Sequence, residues 1–345
     1  MKTRVLLAAA LAVVTALGWS GCAEKSPVAL GQYWEVFVVA DDQDWEAVGE
    51  LIQETLEKPL ATPLAEKEYV VQRVKPEEFE QHLTMRNLLI VSSLTPGTET
   101  ERLLRRALDD DTYDKIAAGE EYLFVARDQW ARGQFLVILA APGAEALTKS
   151  VAFYPDYLYA LFERNRNQKL RELLFARTYG RIERRLKEDY GWTIKLPFGY
   201  KVVREDSANR VVHITKLNPD RNILVHWVEG AEQVPLSRDW MVEKVNWLAS
   251  FYESGYVKEG EYFISTRRWH TYDALVMFGL WQSDTRQIGG PMQAYAFRDR
   301  QSGRLYVIFG NVFAPDRRKE PYVRELETII DTFKSFAPAG AKATS

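Results

Sequence analysis

Cysteine is almost missing from this chain: there is one, Cys22, in 345 residues. That excludes an internal disulfide framework and any site built from several thiolates. Histidine is scarce too, with four residues, which leaves little material for an imidazole-rich metal centre. Neither sign of charge dominates. Lys and Arg number 45 against 48 Asp and Glu, a net charge of −3, which argues against a dedicated nucleic-acid binder. The signatures H-E-x-x-H, G-x-S-x-G, G-x-x-x-x-G-K-[ST] and G-x-G-x-x-G do not occur.

What is present is the composition of an ordinary globular protein, 46% apolar and 27% charged, long enough for two domains. The chain starts Met1-Lys2-Thr3-Arg4 and continues without charge from Val5 to Leu17. A short basic end, a brief apolar stretch and small residues before Cys22 read as a secretory signal peptide. As a helix that stretch rises only about 20 Å, too little for a hydrocarbon core of roughly 30 Å. Ser20 and Gly21 precede the thiol as in a bacterial lipoprotein box, although Trp19 stands where Leu is commonest. A lone thiol at that place is expected to be lipidated, and several acyl chains on one residue anchor stably where one alone does not. Cleavage there removes Lys2 and Arg4 and makes the remaining chain more acidic.

Periodicity organises the rest. Residues 1–21 are the expected signal peptide and 22–32 a lipid-anchored tether. An N-terminal α+β domain spans 33–143, linking helices 144–190, a C-terminal α+β sandwich 191–336 and a flexible tail 337–345. The fold class is therefore α+β, two domains with mixed or antiparallel sheets joined by a long helical region. Strands are expected at 34–39, 69–74, 87–92, 122–127 and 134–140, with a helix after Asp42 or Asp44 whose stripe is Trp45, Val48, Ile52 and Leu56. In the linking region Pro155 and Gly180 should break the helix and Gly191 should end it. Further on, Asn218-Pro219-Asp220-Arg221 has the residues of a type I turn, and Ser237 can cap a helix through Met241, Val245 and Leu248. A last helix carries Tyr322, Leu326, Ile329 and Phe333 on one face.

With the lipobox-like start, Asn87-Leu88-Leu89-Ile90-Val91, Tyr190-Gly191-Trp192, Leu196-Pro197-Phe198-Gly199-Tyr200, Gly289-Gly290-Pro291 and Val312-Phe313-Ala314-Pro315, the sequence resembles an uncharacterised lipoprotein family of Bacteroidota cell envelopes. That family is a domain of unknown function, so the resemblance implies an envelope location and no functional residue. A weaker likeness joins residues 192–336 to PsbP-like sandwiches, which implies a binding or assembly module.

Few residues suggest chemistry. His213 and His226 would face each other across a hairpin if the turn centres between Pro219 and Asp220, close enough to share a metal with Asp239 or Glu243; the plainer reading is a half-exposed sheet face. Asp41-Asp42-Gln43-Asp44 reads as a helix N-terminus, and the acidic run from Asp109 to Asp114 as a solvated loop rather than a calcium site. Nine basic residues against three acidic ones between Glu163 and Lys187 suit an anionic surface or a charged helix face. Most Trp residues read as core, and Gly289-Gly290-Pro291 reads as a turn or bulge. A possible ligand surface consists of Arg268, Trp269, His270, Gly289 and Gly290, where rings and bare backbone suit glycan or protein. Together these features describe a lipid-anchored envelope protein, more a binding or assembly module than an enzyme. No catalytic, cofactor or metal residue is assigned. The expected partners are the membrane, through Cys22, and envelope proteins or glycans. The alternative is a periplasmic hydrolase of an envelope polymer, which would need two carboxylates converging in a cleft.

Overall fold

The computed structural model describes residues 26–153 and 155–337, so Cys22, the leader, Tyr154 and the tail beyond 337 lie outside it. The chain divides into two compact units. One holds the residues up to Lys58 together with Lys67–Arg166; the other holds Pro59–Glu66 and the residues from Asn167 onward.

In the first unit the order is β1 (Glu35–Val39), α1 (Asp42–Leu56), β2 (Val70–Val74), α2 (Phe79–His82), β3 (Asn87–Ser92), α3 (Glu99–Ala107), α4 (Asp110–Ala117), β4 (Leu123–Arg127), β5 (Phe135–Ala140) and α5 (Ala144–Phe153), followed by the start of α6 (Pro155–Leu174). The sheet runs β2-β1-β3-β5-β4, parallel except for β4. It is a mixed sheet, as the alternation of strand and helix patterns implies. β3 and β5 are buried at every residue, and their continuous Leu, Ile and Val runs are what a strand covered on both faces needs. Val38, Leu89 and Val137 face Val48 and Ile52 of α1, Val151 of α5 and Phe162 of α6. Val39, Ile90 and Ile138 face Phe79, Leu104 and Ile116 on the other side. Thr98 caps α3 by accepting from the Glu101 N–H. The acidic run from Asp109 is not a loop. Asp109 is the N-cap of α4, its carboxylate accepting from the Thr112 N–H at 2.9 Å, and Asp110 and Asp111 occupy the first turn, where negative charge is favoured.

The second unit continues with α7 (Gly180–Tyr190), β6 (Trp192–Thr193), β7 (Lys201–Asp206), β8 (Val211–Lys216), β9 (Asp220–Glu229), α8 (Arg238–Ala249), β10 (Tyr256–Trp269), β11 (Tyr272–Ser283), β12 (Ile288–Asp299), β13 (Arg304–Phe313), α9 (Glu320–Ile330) and β14 (Lys334–Ser335). Seven strands form an antiparallel sheet in the order β10-β11-β12-β13-β9-β8-β7, and β6 pairs with β14. One face packs on Met241, Val245 and Leu248 of α8; the other packs on Leu326, Ile329 and Ile330 of α9 and on Trp192. Ser237 caps α8, and Gly191, at φ 73°, closes α7. Segment Pro59–Glu66 belongs here because Leu60 packs on the α9-side core and the Glu66 carboxylate accepts from the Lys319 and Glu320 N–H groups at 2.8 and 2.9 Å, at the start of α9.

Two local expectations are corrected. Gly289-Gly290-Pro291 is not a turn but the start of β12, paired with Gln282, Trp281 and Leu280 of β11. Small residues are needed because a Cβ on Gly290 would overlap the Val312 carbonyl oxygen and one on Gly289 would lie 2.7 Å from Trp281 O. Pro291 offers no N–H, and the ladder to β13 starts only at Met292 opposite Asn311; the indole N–H of Trp281 donates to Val312 O instead, at 3.2 Å. The β8–β9 hairpin, for its part, centres between Asn218 and Pro219, with a cis Asn218–Pro219 bond and Lys216 opposite Arg221, rather than forming a type I turn from Asn218 to Arg221.

Gly290→Ala should therefore lower stability by about 1–3 kcal/mol. Gly180→Ala, at the first residue of α7 with open space around it, should be neutral or stabilising by up to ~1 kcal/mol. Thermal melts of the two variants provide the check.

Candidate functional site

The expected ligand surface is split by the sheet. Arg268, Trp269 and His270 lie where β10 turns into β11, whereas Gly289 and Gly290 pair with Gln282 and Trp281 at the far end of β11. Trp269 is only 8% exposed and sits in an aromatic cluster with Tyr272, Tyr295 and Phe297. Gly290 is buried as well. Two residues of the group meet solvent with charged partners: Arg268 Nη1 is 3.2 Å from Asp273 Oδ1, and His270 Nε2 is 3.1 Å from Asp331 Oδ1, which also pairs with Arg171.

His213 and His226 are not directly opposite. Because the hairpin centres one residue earlier than expected, His213 faces Leu224 and His226 faces Val211, which makes the two imidazoles diagonal neighbours. Their partners differ. His213 Nε2 lies 2.9 Å from Asn222 Oδ1, and Asn222 donates in turn to Asn311 Oδ1. His226 Nδ1 lies 3.1 Å from Arg210 O, and its ring stands edge-on to Trp247. Burial lowers both pKa values; the Asn222 and Arg210 hydrogen bonds oppose it, while Arg204 and Lys244 add repulsion. Among the described residues no group of three His, Cys, Asp or Glu side chains could hold a metal ion. Four of the nine basic residues between Glu163 and Lys187 are held in ion pairs. Arg166 binds Glu163, Lys169 binds Glu172, Arg171 binds Asp331 and Arg185 binds Glu205.

The site that sequence patterns missed lies in the first unit, at the carboxyl ends of β1 and β3. The chain leaves β1 for β2 on one side and returns to β3 on the other, so two connections diverge there, the usual place for a ligand in such sheets. Asp41, just past β1, holds the start of α3: its carboxylate accepts from the Glu99 and Thr100 N–H groups at 3.2 and 3.0 Å and from the Thr100 hydroxyl. Thr100 Oγ1 also lies 3.0 Å from Ser92 Oγ, whose hydroxyl can donate to it. Asp44, in the first turn of α1, is 1% exposed; Oδ2 accepts from the Ser93 N–H at 2.9 Å, and Oδ1 accepts nothing among the described residues. Burial raises the Asp44 pKa, and the nearby Asp41 charge adds to that, against the lowering effect of the Ser93 hydrogen bond. The donors at the start of α3, which would suit an anion, are thus taken by Asp41. The free acceptor, Asp44 Oδ1, suits a donor such as a hydroxyl or ammonium group. The signal in the sequence is an acidic residue two positions past the first strand and Ser92-Ser93 at the end of the third, but it acquires meaning only once those strands are known to be parallel neighbours.

Residues 29–175 match the model of a domain of unknown function (DUF8532), and residues 180–332 match that of another domain of unknown function (DUF4837). No curated protein matches the sequence. Among solved structures, the Saccharomyces cerevisiae Ran-binding protein Mog1p is 12% identical with a TM-score of 0.30, over 43% of this chain and 91% of that one. LpqN of Mycobacterium tuberculosis, involved in cell envelope biogenesis, is 11% identical with a TM-score of 0.28, over 41% and 82%. A protein of Bacteroides thetaiotaomicron is 7% identical with a TM-score of 0.27, over 43% and 46%.

Two outcomes follow from these environments. Asp44→Asn keeps an acceptor for the Ser93 N–H and removes a buried charge, so it should leave stability unchanged or raised at pH 7, whereas Asp44→Ala should cost about 1–3 kcal/mol in urea unfolding. Both buried imidazoles have folded pKa values below the ordinary value of about 6.5, so the unfolded chain binds more protons. Stability is then full above that value and falls as the pH drops below it. The urea midpoint should decrease between about pH 7 and pH 5, and His213→Gln should remove part of that decrease.

Proposed function

We propose that this is a lipid-anchored cell-envelope protein whose two units form a non-enzymatic binding or assembly module. The observation that carries the reading is the placement of the sole cysteine: Cys22 directly follows a basic start, an uncharged stretch from Val5 to Leu17 and the small pair Ser20-Gly21. A thiol at a new N-terminus can take acyl chains, and more than one chain gives stable attachment to a bilayer. Among the described residues no helix is long and apolar enough to cross a membrane.

Support for docking comes from the second unit. Phe198 is 60% exposed, stacked on Tyr179 with the Arg177 guanidinium 5.0 Å from its ring, and Leu217 is 62% exposed. Lys216, which precedes Leu217 in the chain, has its side chain next to Gly199, the residue after Phe198. An exposed ring and an aliphatic group with a cation next to them form the kind of surface that protein and glycan partners cover.

Fractionation of cells producing the parent chain and Cys22→Ser is the test. The parent should sediment with membranes and resist extraction by high salt, and the variant should move to the soluble fraction. Unchanged membrane association of the variant, or an unacylated Cys22 by mass spectrometry, would refute the anchor.

A further inference from the structure

At the amino ends of β3 and β5 the segment from Pro27 to Gly31 is inserted between the stretches of chain that enter those strands. On one side the Arg132 N–H donates to Pro27 O at 2.8 Å and the Ala29 N–H to Arg132 O at 3.0 Å. On the other the Leu30 N–H donates to Thr84 O at 2.9 Å and the Arg86 N–H to Leu30 O at 2.7 Å. The Arg86 side chain ties the segment further, donating to Gly31 O at 3.0 Å and to Ala29 O at 2.9 Å. Alternate side chains of an extended segment share one side. Ala29 is 2% exposed and turns inward, whereas Val28 (54%) and Leu30 (57%) face solvent together. Tyr33 and Trp130, both half-buried, come from the same end of the sheet, and exposed Arg132 pairs with Val28. Exposed aliphatic groups on a fixed backbone, with Tyr, Trp and Arg nearby, are what collects where water meets lipid.

We infer that this end of the first unit is a membrane footing, with Val28 and Leu30 seated at the boundary between headgroups and acyl chains of the bilayer that holds Cys22. The inference rests on acylation of Cys22, as proposed above, and the occupant follows from the length of chain in between. Pro27 is already held by the fold, so only five residue steps separate it from Cys22. Fully extended, they span at most about 18 Å, whatever conformation they adopt. That leaves no room for a second folded domain between this end and the bilayer, since even 100 residues have a radius of gyration of about 13 Å. Lipid is then what the apolar pair meets. β3 and β5, six residues each, carry the chain about 20 Å away from that end. The carboxyl ends of the strands, with Asp41 and Asp44, accordingly point toward water and away from the membrane.

The test uses the acylated full chain, extracted in detergent and returned to vesicles of phosphatidylethanolamine and phosphatidylglycerol. A fluorophore is placed on Arg132→Cys or on Pro96→Cys, acylation of Cys22 leaving the new thiol as the one to label. Arg132 adjoins Val28, whereas Pro96 lies in the loop after β3, at the other end of the sheet, and both are exposed. A nitroxide near the top of the acyl chains should quench the Arg132 reporter at least about threefold more than the Pro96 reporter. V28S/L30S should abolish most of that difference while the chain still sediments with the vesicles and melts as the parent does, because both side chains are exposed. A Cys22 found unacylated, with the chain left in solution, would remove the anchor and the inference with it. Equal quenching of the two reporters, or a difference unchanged by V28S/L30S, in a chain that is acylated and bound to vesicles would overturn the inference and leave the anchor standing.

Discussion

A strand covered on both faces leaves its polar atoms no water to turn to, and this constraint governs the interior of both units. β3 and β5 are buried at every residue, and β9 and β13 through most of their length. A buried donor or acceptor left without a partner costs about 1–3 kcal/mol, and several of the polar residues admitted there have specific partners. Asn87 donates to the Tyr33 and Glu35 carbonyls at 3.2 and 2.8 Å. Asn222 bridges His213 and Asn311 within the sheet. Arg221, 4% exposed, pairs with Glu325 of α9 at 2.6 Å and donates to Pro219 O at 3.1 Å, which fixes where that helix lies on the sheet. The Val312 carbonyl, without a ladder donor beside Pro291, is met by the Trp281 indole.

The same constraint explains which parts of the structure were legible in the sequence. Buried strands need unbroken apolar runs, and Leu88-Leu89-Ile90-Val91 could be little else. Helices with one covered face need a stripe, and Val48, Ile52 and Leu56 supply it. The fold class, two α+β domains with mixed and antiparallel sheets, rests on such local signals. Errors arose where a residue's role depends on a distant partner. Gly289-Gly290-Pro291 has the composition of a turn, and only the approach of Val312 explains its place in a strand. The acids after Asp109 resemble a solvated run because helix capping differs from it only by the hydrogen bonds that the Asp109 carboxylate accepts from the Thr112 N–H and hydroxyl. The diagonal offset of His213 and His226 depends on one residue in a hairpin loop.

The candidate site was the least legible part, for a topological reason. Asp41, Asp44, Ser92, Ser93 and Thr100 come from the ends of two strands and the starts of two helices, about 50 residues apart along the chain. None of them is unusual in its own neighbourhood. The basic stretch between Glu163 and Lys187 shows the reverse. Its charge looks exceptional in sequence, yet Asp331 and Glu205, far along the chain, take up Arg171 and Arg185. A surplus of charge counted over a segment says little about the field at the surface until the distant acids are placed.

Segment Pro59–Glu66, described above with the second unit, makes that unit discontinuous along the polypeptide. A fragment cut between Arg166 and Asn167 would therefore be incomplete although it contains every strand of the seven-stranded sheet. It would lack the Leu60 side chain and the carboxylate that meets the first turn of α9. Excising the C-terminal body for separate work thus calls for co-expression of the missing strip, or for a circular rearrangement that reconnects it. Limits drawn along the linear sequence would also divide a deletion series in the wrong place, and a loss of folding could then be mistaken for a loss of function.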